Sequence, residues 1–361
     1  MNTSSQPDQD DFTWRTDLAS RRLGGSVVFA NDEFFAEKEN LIRPEPPAFA
    51  PAEFGHKGKV YDGWETRRRR EPGRDHAIVR LGGPGVVHGV IVDTAFFRGN
   101  YPPEISVEGA CAAGYPSAAE LAAADWQPLV PPSAAAGDAA NRYVVADRRR
   151  WTHVRLTLYP DGGVARLRVH GEVVPDPAFL TGTIDLAAME NGALVTGCSD
   201  AFYSAPSNLI MPGLPRVMSD GWENARRRGP GNDYVEVRLA GAGAIRRAEI
   251  DTSYFVGNAP GWVVLSAGGP GSAGGPGSAA SPGSLAGPDA LGPGTNWREL
   301  LPRTRVQPDT RHRFVLDGAV PTAAIRLDVI PDGGLARLRI YGELTGAALT
   351  ELAERWRATA P

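Results

Sequence analysis

Short runs of β-branched and aromatic residues, punctuated by glycine and proline, set the pattern along this chain. Val154-Arg-Leu-Thr-Leu-Tyr, Ala165-Arg-Leu-Arg-Val-His and Ala324-Ile-Arg-Leu-Asp-Val-Ile alternate apolar with polar positions, the period of a half-buried strand. His88-Gly-Val-Ile-Val-Asp-Thr-Ala-Phe-Phe and Ala248-Glu-Ile-Asp-Thr-Ser-Tyr-Phe are denser apolar runs of the same strand-forming residues. Pro-Asp-Gly-Gly separates two such strands at 160–163 and again at 331–334. It predicts a hairpin turn, because its glycines accept positive φ. A helix-like tail, TELAERWRATA, ends the chain.

The pattern occurs twice. Asp62-Gly63-Trp64-Glu65 returns as Asp220-Gly221-Trp222-Glu223, an offset of 158 (220 − 62). Pro72-Gly73-x-Asp75 returns at the same offset as Pro230-Gly231-x-Asp233, and Asp93-Thr94-x-x-Phe97-x-Gly99-Asn100 as Asp251-Thr252-x-x-Phe255-x-Gly257-Asn258. Trp126 and Trp297, and the two Pro-Asp-Gly-Gly turns, lie 171 apart, so the second copy gains 13 residues (171 − 158). The gain falls in a Gly/Pro/Ser-rich stretch, 268–287, which has too little to bury to offset its ordering entropy and is expected to be a mobile surface loop. Asn40-Leu41-Ile42 pairs with Asn208-Leu209-Ile210 at offset 168, so the first copy carries 10 more residues ahead of its Asp-Gly-Trp-Glu. The expected organisation is a leader (1–22), a first repeat (23–172), a linker (173–194), a second repeat (195–343) and a tail (344–361).

Composition narrows the class. Gly (43) and Pro (31) make up about a fifth of 361 residues, too many for helix interiors and suited to turn-dense β structure. With copies of about 150 residues built from short strands, the expectation is all-β: two tandem jelly-roll β-sandwiches. The formal charge of −4 argues against a nucleic-acid or anionic-membrane binder. Two cysteines, Cys111 and Cys198, exclude a disulfide framework and a four-cysteine zinc site, and both are expected to be buried spectators. The opening MNTSSQPDQDDFTW lacks a basic stretch followed by an apolar run, and no apolar run approaches a membrane span. A cytoplasmic location is expected.

The motifs together resemble the allantoicase family. In the first copy the resemblance rests on Leu23-Gly-Gly-Ser-Val-Val-Phe-Ala-Asn-Asp-Glu-Phe-Phe-Ala with Glu39-Asn-Leu-Ile, on Gly58-Lys-Val-Tyr-Asp-Gly-Trp-Glu-Thr-Arg-Arg-Arg-Arg, and on Asp93-Thr-Ala-Phe-Phe-Arg-Gly-Asn-Tyr-Pro-Pro. In the second it rests on Asp220-Gly-Trp-Glu-Asn, Asp251-Thr-Ser-Tyr-Phe-Val-Gly-Asn and the Pro-Asp-Gly-Gly turn. The resemblance implies sandwiches like galactose-binding domains and hydrolysis of allantoate to ureidoglycolate and urea in purine catabolism. The chain departs from the family pattern in the Gly/Pro/Ser loop and at His76 and Tyr234, where tryptophan is expected. The alternative is a non-catalytic tandem carbohydrate-binding module, against which stand the missing export signal and tryptophans that recur in both copies as core anchors do. A structural scaffold is disfavoured by the charge clustered around glycine turns.

Allantoate carries two ureido groups and a carboxylate on one carbon, so releasing urea calls for a proton donor to the leaving group and a guanidinium clamp for the carboxylate. Glu65 and Asp62, with Asp75 and His76 as a second pair, are the catalytic candidates. Arg67, Arg68, Glu33, Asp93, Thr94, Arg98 and Asn100 are the substrate-binding candidates. A competing reading makes Asp62 a turn cap, Asp93-Thr94 a strand closure, and Trp64 a core anchor. Glu33, Arg67, Arg98 and Tyr101 become Ala201, Ala225, Val256 and Ala259 in the second copy, which points to the first as the working one. Phe34, Phe35, Phe97 and Phe255 are expected in the core. No metal-ligand spacing is present among the six histidines, so no cofactor is expected; a divalent ion held by Asp and Asn oxygens is the alternative. The expected partners are allantoate and further copies of the chain.

Overall fold

The computed structural model describes residues 11–49, 52, 54–55, 58–59, 61–268, 285–286, 296–317 and 320–361. One unit comprises Asp8–Val174 with Trp356–Pro361, and the other comprises Pro175–Arg355.

In the first unit the strands are β1 (Thr16–Asp17), β2 (Ser26–Ala30), β3 (Trp64–Glu65), β4 (Asp75–Asp93), β5 (Glu104–Ala110), β6 (Gln127–Ala134), β7 (Ala140–Val144), β8 (Arg150–Tyr159), β9 (Gly163–Val164) and β10 (Arg166–Val173), with a short helix α1 (Ala118–Ala122). Strand β4 is 19 residues long and passes Gly82-Gly83-Pro84-Gly85 at its middle. Its first half lies between β2 and β8, and its second half between β7 and β10. One strand therefore serves both layers of a jelly-roll sandwich, and β5 and β6 extend the first layer. The apolar positions of β4, β8 and β10 (Ile78, Val90, Val154, Leu156, Leu167 and Val169 among them) meet in the core.

The second unit repeats this with β11 (Ile184–Asp185), β12 (Leu194–Cys198), β13 (Asp233–Asp251), β14 (Trp262–Gly268), β15 (Arg298–Arg305), β16 (Arg311–Val315), β17 (Thr322–Ile330) and β18 (Arg337–Leu344), followed by helix α2 (Gly346–Ala358). Ala240-Gly241-Ala242-Gly243 marks the middle of β13, which is flanked by β12 and β17 in its first half and by β16 and β18 in its second. The chain is thus all-β, as two jelly-roll repeats. Leu285–Ala286 pairs with β12; the rest of the Gly/Pro/Ser stretch, apart from Gly268, lies outside the described residues.

Four expectations are corrected. The strands on either side of Pro-Asp-Gly-Gly do not pair with each other: β8 lies against one half of β4 and β10 against the other. The motif is therefore a turn between layers, not a hairpin. Phe34 and Phe35 stand 44% and 43% exposed, because the Asp32 turn holds them on a rim, whereas Phe97 and Phe255 are buried. Trp64 and Trp222 are fully buried, but Trp126 and Trp297 are only half-buried; Trp126 lies under the Arg155 guanidinium. Cys198 is buried and Cys111 is exposed.

Candidate active site

The Asp-Gly-Trp-Glu segment is locked in place by close approach. A Cβ on Gly63 would come within 2.6 Å of the Val164 carbonyl, and Gly221 is crowded by Leu335 in the same way. Only glycine lets β3 lie against β9 here. The indoles then plug inward: Trp64 Nε1 donates to the Asp32 carbonyl and Trp222 Nε1 to that of Asp200, both at 2.8 Å. Asp161 Oδ2 accepts the Arg69 N–H, and Asp332 Oδ2 that of Arg227, both at 2.8 Å. The frame exists in duplicate.

Several sequence candidates belong to this frame. Thr94 is 0% exposed; its hydroxyl donates to the Ala136 carbonyl (2.6 Å) and accepts the Ala139 N–H (3.2 Å). Thr252 in the second copy likewise donates to the Gln307 carbonyl. Asp93 Oδ1 accepts the Ala95 N–H at 2.8 Å, bracing the turn in which Phe96 adopts φ 69°. Asp62 binds the buried Arg166 guanidinium (2.7 Å), the Ala48 N–H (2.9 Å) and Arg43 (3.3 Å). Burial pushes the Asp62 carboxyl up, but Arg166 and Ala48 overcome this and hold it below its ordinary range. Thr94, Asp93 and Asp62 thus each engage partners within the protein, in the manner of a strand closure and a turn cap.

The Asp75–His76 pair also comes apart. Asp75 is buried against Arg69 (2.6 Å) and Asn31 (3.1 Å), and the next strand residue projects to the opposite face. The His76 ring lies 5.4 Å from that of Phe29; burial, then Arg155, lowers its pKa. The structure thus gives the two side chains different neighbours, Arg69 and Asn31 for Asp75 and Phe29 for His76.

Glu65 stands where three segments converge. Its backbone bridges Ala36 on one side and Gly163 on the other. Its Oε1 accepts the Asn100 amide at 2.6 Å, while the Gly163 N–H holds the Asn100 carbonyl at 2.7 Å. Burial lifts the Glu65 carboxyl above the ordinary carboxylate range against the lowering by Asn100, so it stays protonated to higher pH. Glu223 and Asn258 repeat the pair at 2.5 Å.

Around Glu65 the first copy carries Arg67, Glu33 and Arg98 where the second has Ala225, Ala201 and Val256, while Arg68–Arg70 recur as Arg226–Arg228. Arg67, two residues on, flanks the buried Thr66 and clamps Asp32 with Nε at 2.7 Å and Nη2 at 2.6 Å, its guanidinium lying 5.3 Å from the Phe34 ring. Arg67, Arg68, Arg69, Arg70 and Glu71 line a depression of about 400 Å³ floored by Asp32 and Asp75. Arg68 reaches Asp161 at 3.6 Å. Glu33 is tied to Lys38 through its ammonium and its N–H, both at 3.1 Å, and Arg98 to Asp138 at 2.9 Å. Among the described residues no group of three or more His, Cys, Asp or Glu is placed to hold a metal ion. Asp32, Asp161 and Arg69 escaped the sequence reading, although each recurs in the second copy as Asp200, Asp332 and Arg227.

Comparison with known proteins agrees with this doubled plan. The family model for the allantoicase repeat matches residues 16–174 and 184–345. A probable allantoicase of Nocardia farcinica is 56% identical over 345 residues, covering 93% of this chain and 96% of that one. One from Streptomyces coelicolor is 51% identical, covering 95% and 89%. The crystal structure of allantoicase from Saccharomyces cerevisiae superposes with a TM-score of 0.76 at 31% identity, covering 94% of this chain and 98% of that one. With both repeats matched and such identity across nearly its whole length, this chain belongs to the allantoicase family.

Proposed function

We propose that the chain hydrolyses allantoate to ureidoglycolate and urea, with Glu65 as the proton donor and the Arg67–Arg70 depression as the carboxylate clamp. The observation that carries the assignment of roles is the half-buried Glu65 carboxyl, held by Asn100 and lifted by burial, two residues before Arg67, the first arginine of the cluster that lines the depression. Glu65 and Arg67 sit two residues apart on one side of an extended segment, about 7 Å between their Cα atoms. A substrate whose carboxylate and ureido groups share one carbon spans such a gap.

Glu65 gives its proton to the nitrogen of the leaving ureido group as the C–N bond breaks, and urea departs neutral. The nitrogen lone pair of the remaining ureido group supports the electron-poor carbon. Water then adds to that carbon and passes its proton to the Glu65 carboxylate, which restores the acid. Positioned proton transfer of this kind is worth about 10²–10⁴-fold. Arg67 and Arg68 orient the carboxylate, Asn100 orients Glu65, and the exposed Phe34 and Phe35 limit water on one side. Urea release from allantoate by the purified chain, with and without added divalent metal, tests the reaction; well-folded protein that yields no urea under either condition removes it.

A homo-oligomeric assembly is part of the same proposal, supported by exposed Phe202, Tyr203, Leu214 and Val256 and checked by sedimentation. So is a cytoplasmic location, supported by the absence, among the described residues, of any helix long and apolar enough to cross a membrane, and checked by cell fractionation.

A further inference from the structure

The outer face of the second layer is laid out alike in both units and finished differently. In the first unit, Gly89 and Ile91 of β4 lie between Arg142 of β7 and His170 of β10. Phe12 covers this face: its ring is 5.8 Å from that of His170 and 5.1 Å from the Arg142 guanidinium, and a Cβ on Gly89 would collide with it. Asp11 completes the cover, its Oδ1 accepting Arg142 Nη2 at 2.8 Å. A carboxylate and an aromatic ring, adjacent in sequence, thus fill the face.

In the second unit the corresponding positions carry Arg247 for Gly89, Glu249 for Ile91, Arg311 for Ala140, Arg313 for Arg142 and Tyr341 for His170. They line an open groove of about 340 Å³, walled also by Phe314 and Val315. The Glu249 carboxylate is buried and bound by Arg311 at 2.5 Å and Arg313 at 3.4 Å, and Arg247 lies 5.1 Å from the Tyr341 ring centroid. Among the residues that line this concave, partly apolar site, three guanidinium groups face one carboxylate, with the Asp251 and Asp185 carboxylates acting from beyond the lining on Arg311 and Tyr341.

We propose that this groove binds a small organic carboxylate with an aromatic or branched apolar body, seated as Asp11 and Phe12 are seated in the first unit. The carboxylate lies between Arg247 and Arg313, and the body rests against Tyr341, Phe314 and Val315. Guanidinium groups suit a carboxylate through paired donors, and a groove at the small end of the usual ligand-site range suits a ligand of this size. The site lies on the second unit and does not depend on the hydrolytic reading.

Phenylacetate is the probe, titrated into the full chain by calorimetry. One saturable site is expected, with Kd raised about tenfold or more in Arg247→Gln and in Arg313→Gln, unchanged in Arg67→Gln, and with no binding of phenethylamine, which has the same ring and the opposite charge. Urea release from allantoate stays at the wild-type level in Arg247→Gln. Arg247 is exposed, so its variant folds and decides the matter even if Arg313→Gln does not. Absence of saturable binding, an unchanged Kd in Arg247→Gln, or loss in Arg67→Gln alone overturns the proposal.

Discussion

Glu65 and Glu223 hold matching positions and matching amide partners, and burial lifts the Glu65 carboxyl above the ordinary carboxylate range. Glu65→Gln keeps the volume and the Asn100 contact while removing the proton, so turnover is expected to fall about 10²–10⁴-fold with little change in melting temperature. Glu223→Gln is expected to leave turnover nearly intact; equal, large losses from both would mean a site shared between copies. Asp62→Asn behaves oppositely. It removes the carboxylate from the buried Arg166 guanidinium, and unfolding free energy is expected to drop by about 3 kcal/mol, read from denaturant titration, with turnover per folded molecule retained. Both acids lie in one four-residue motif, and repetition alone does not sort them. Arg166, far away in sequence, folds back onto Asp62, whereas the side-chain partner of Glu65 among the described residues is the Asn100 amide. Which acid is braced depends on tertiary partners, and that is why the motif was legible and the roles within it were not.

Among the elements, the alternating strands were readable because each has one face on the core, as in β8, β10 and β17. Pairing was not. Pro-Asp-Gly-Gly has hairpin chemistry, but local turn residues cannot reveal that a bent 19-residue strand lies between the two strands they join. Strand β8 carries a charge problem of its own. His153 is buried, with Nδ1 2.8 Å from the Thr152 hydroxyl, and burial followed by Arg80 pushes its pKa down to about 4. The fold therefore favours the neutral ring. Its contribution is fully present above the unfolded value of about 6.5 and is lost as pH falls toward 4, about 3 kcal/mol in all. Its counterpart is Ala324, so the second unit lacks this loss. There, Asp185 has the opposite sign: burial raises it to about 6, so its contribution is present at low pH and lost as pH rises through 6. Melting curves between pH 4 and 7 are expected to show a first-unit transition that weakens in acid, with most of that dependence removed in His153→Gln. An unchanged profile in the variant would assign the acid sensitivity elsewhere.

Across the whole molecule, duplication has preserved the frame and let the outer faces and ends diverge. The organisation into two repeats was legible because Asp-Gly-Trp-Glu and Pro-Asp-Gly-Gly recur with fixed offsets. The destination of the tail was not legible, since nothing in a short amphipathic helix names its partner. The last six residues, Trp356–Pro361, belong to the first unit. They meet Arg150, 5% exposed, whose N–H donates to the Thr359 carbonyl at 2.6 Å and whose Nη1 donates to the Trp356 carbonyl at 2.5 Å, with the guanidinium 3.3 Å from the Trp356 ring centroid. The second copy has Pro321 at the matching place and so has no such arginine to cover. A chain ending at Arg355 takes the Trp356 ring, the Trp356 carbonyl and the Thr359 hydroxyl from the guanidinium, which costs about 3 kcal/mol. At 2–4 °C per kcal/mol for a unit of this size, the first-unit transition is expected about 6–12 °C lower, with the second-unit transition in place. Arg150→Met in the shortened chain removes the guanidinium that the tail covers and is expected to recover part of the loss. Calorimetry resolves the two transitions, and a first-unit transition that does not move on shortening would show that Arg150 finds equal partners without the tail.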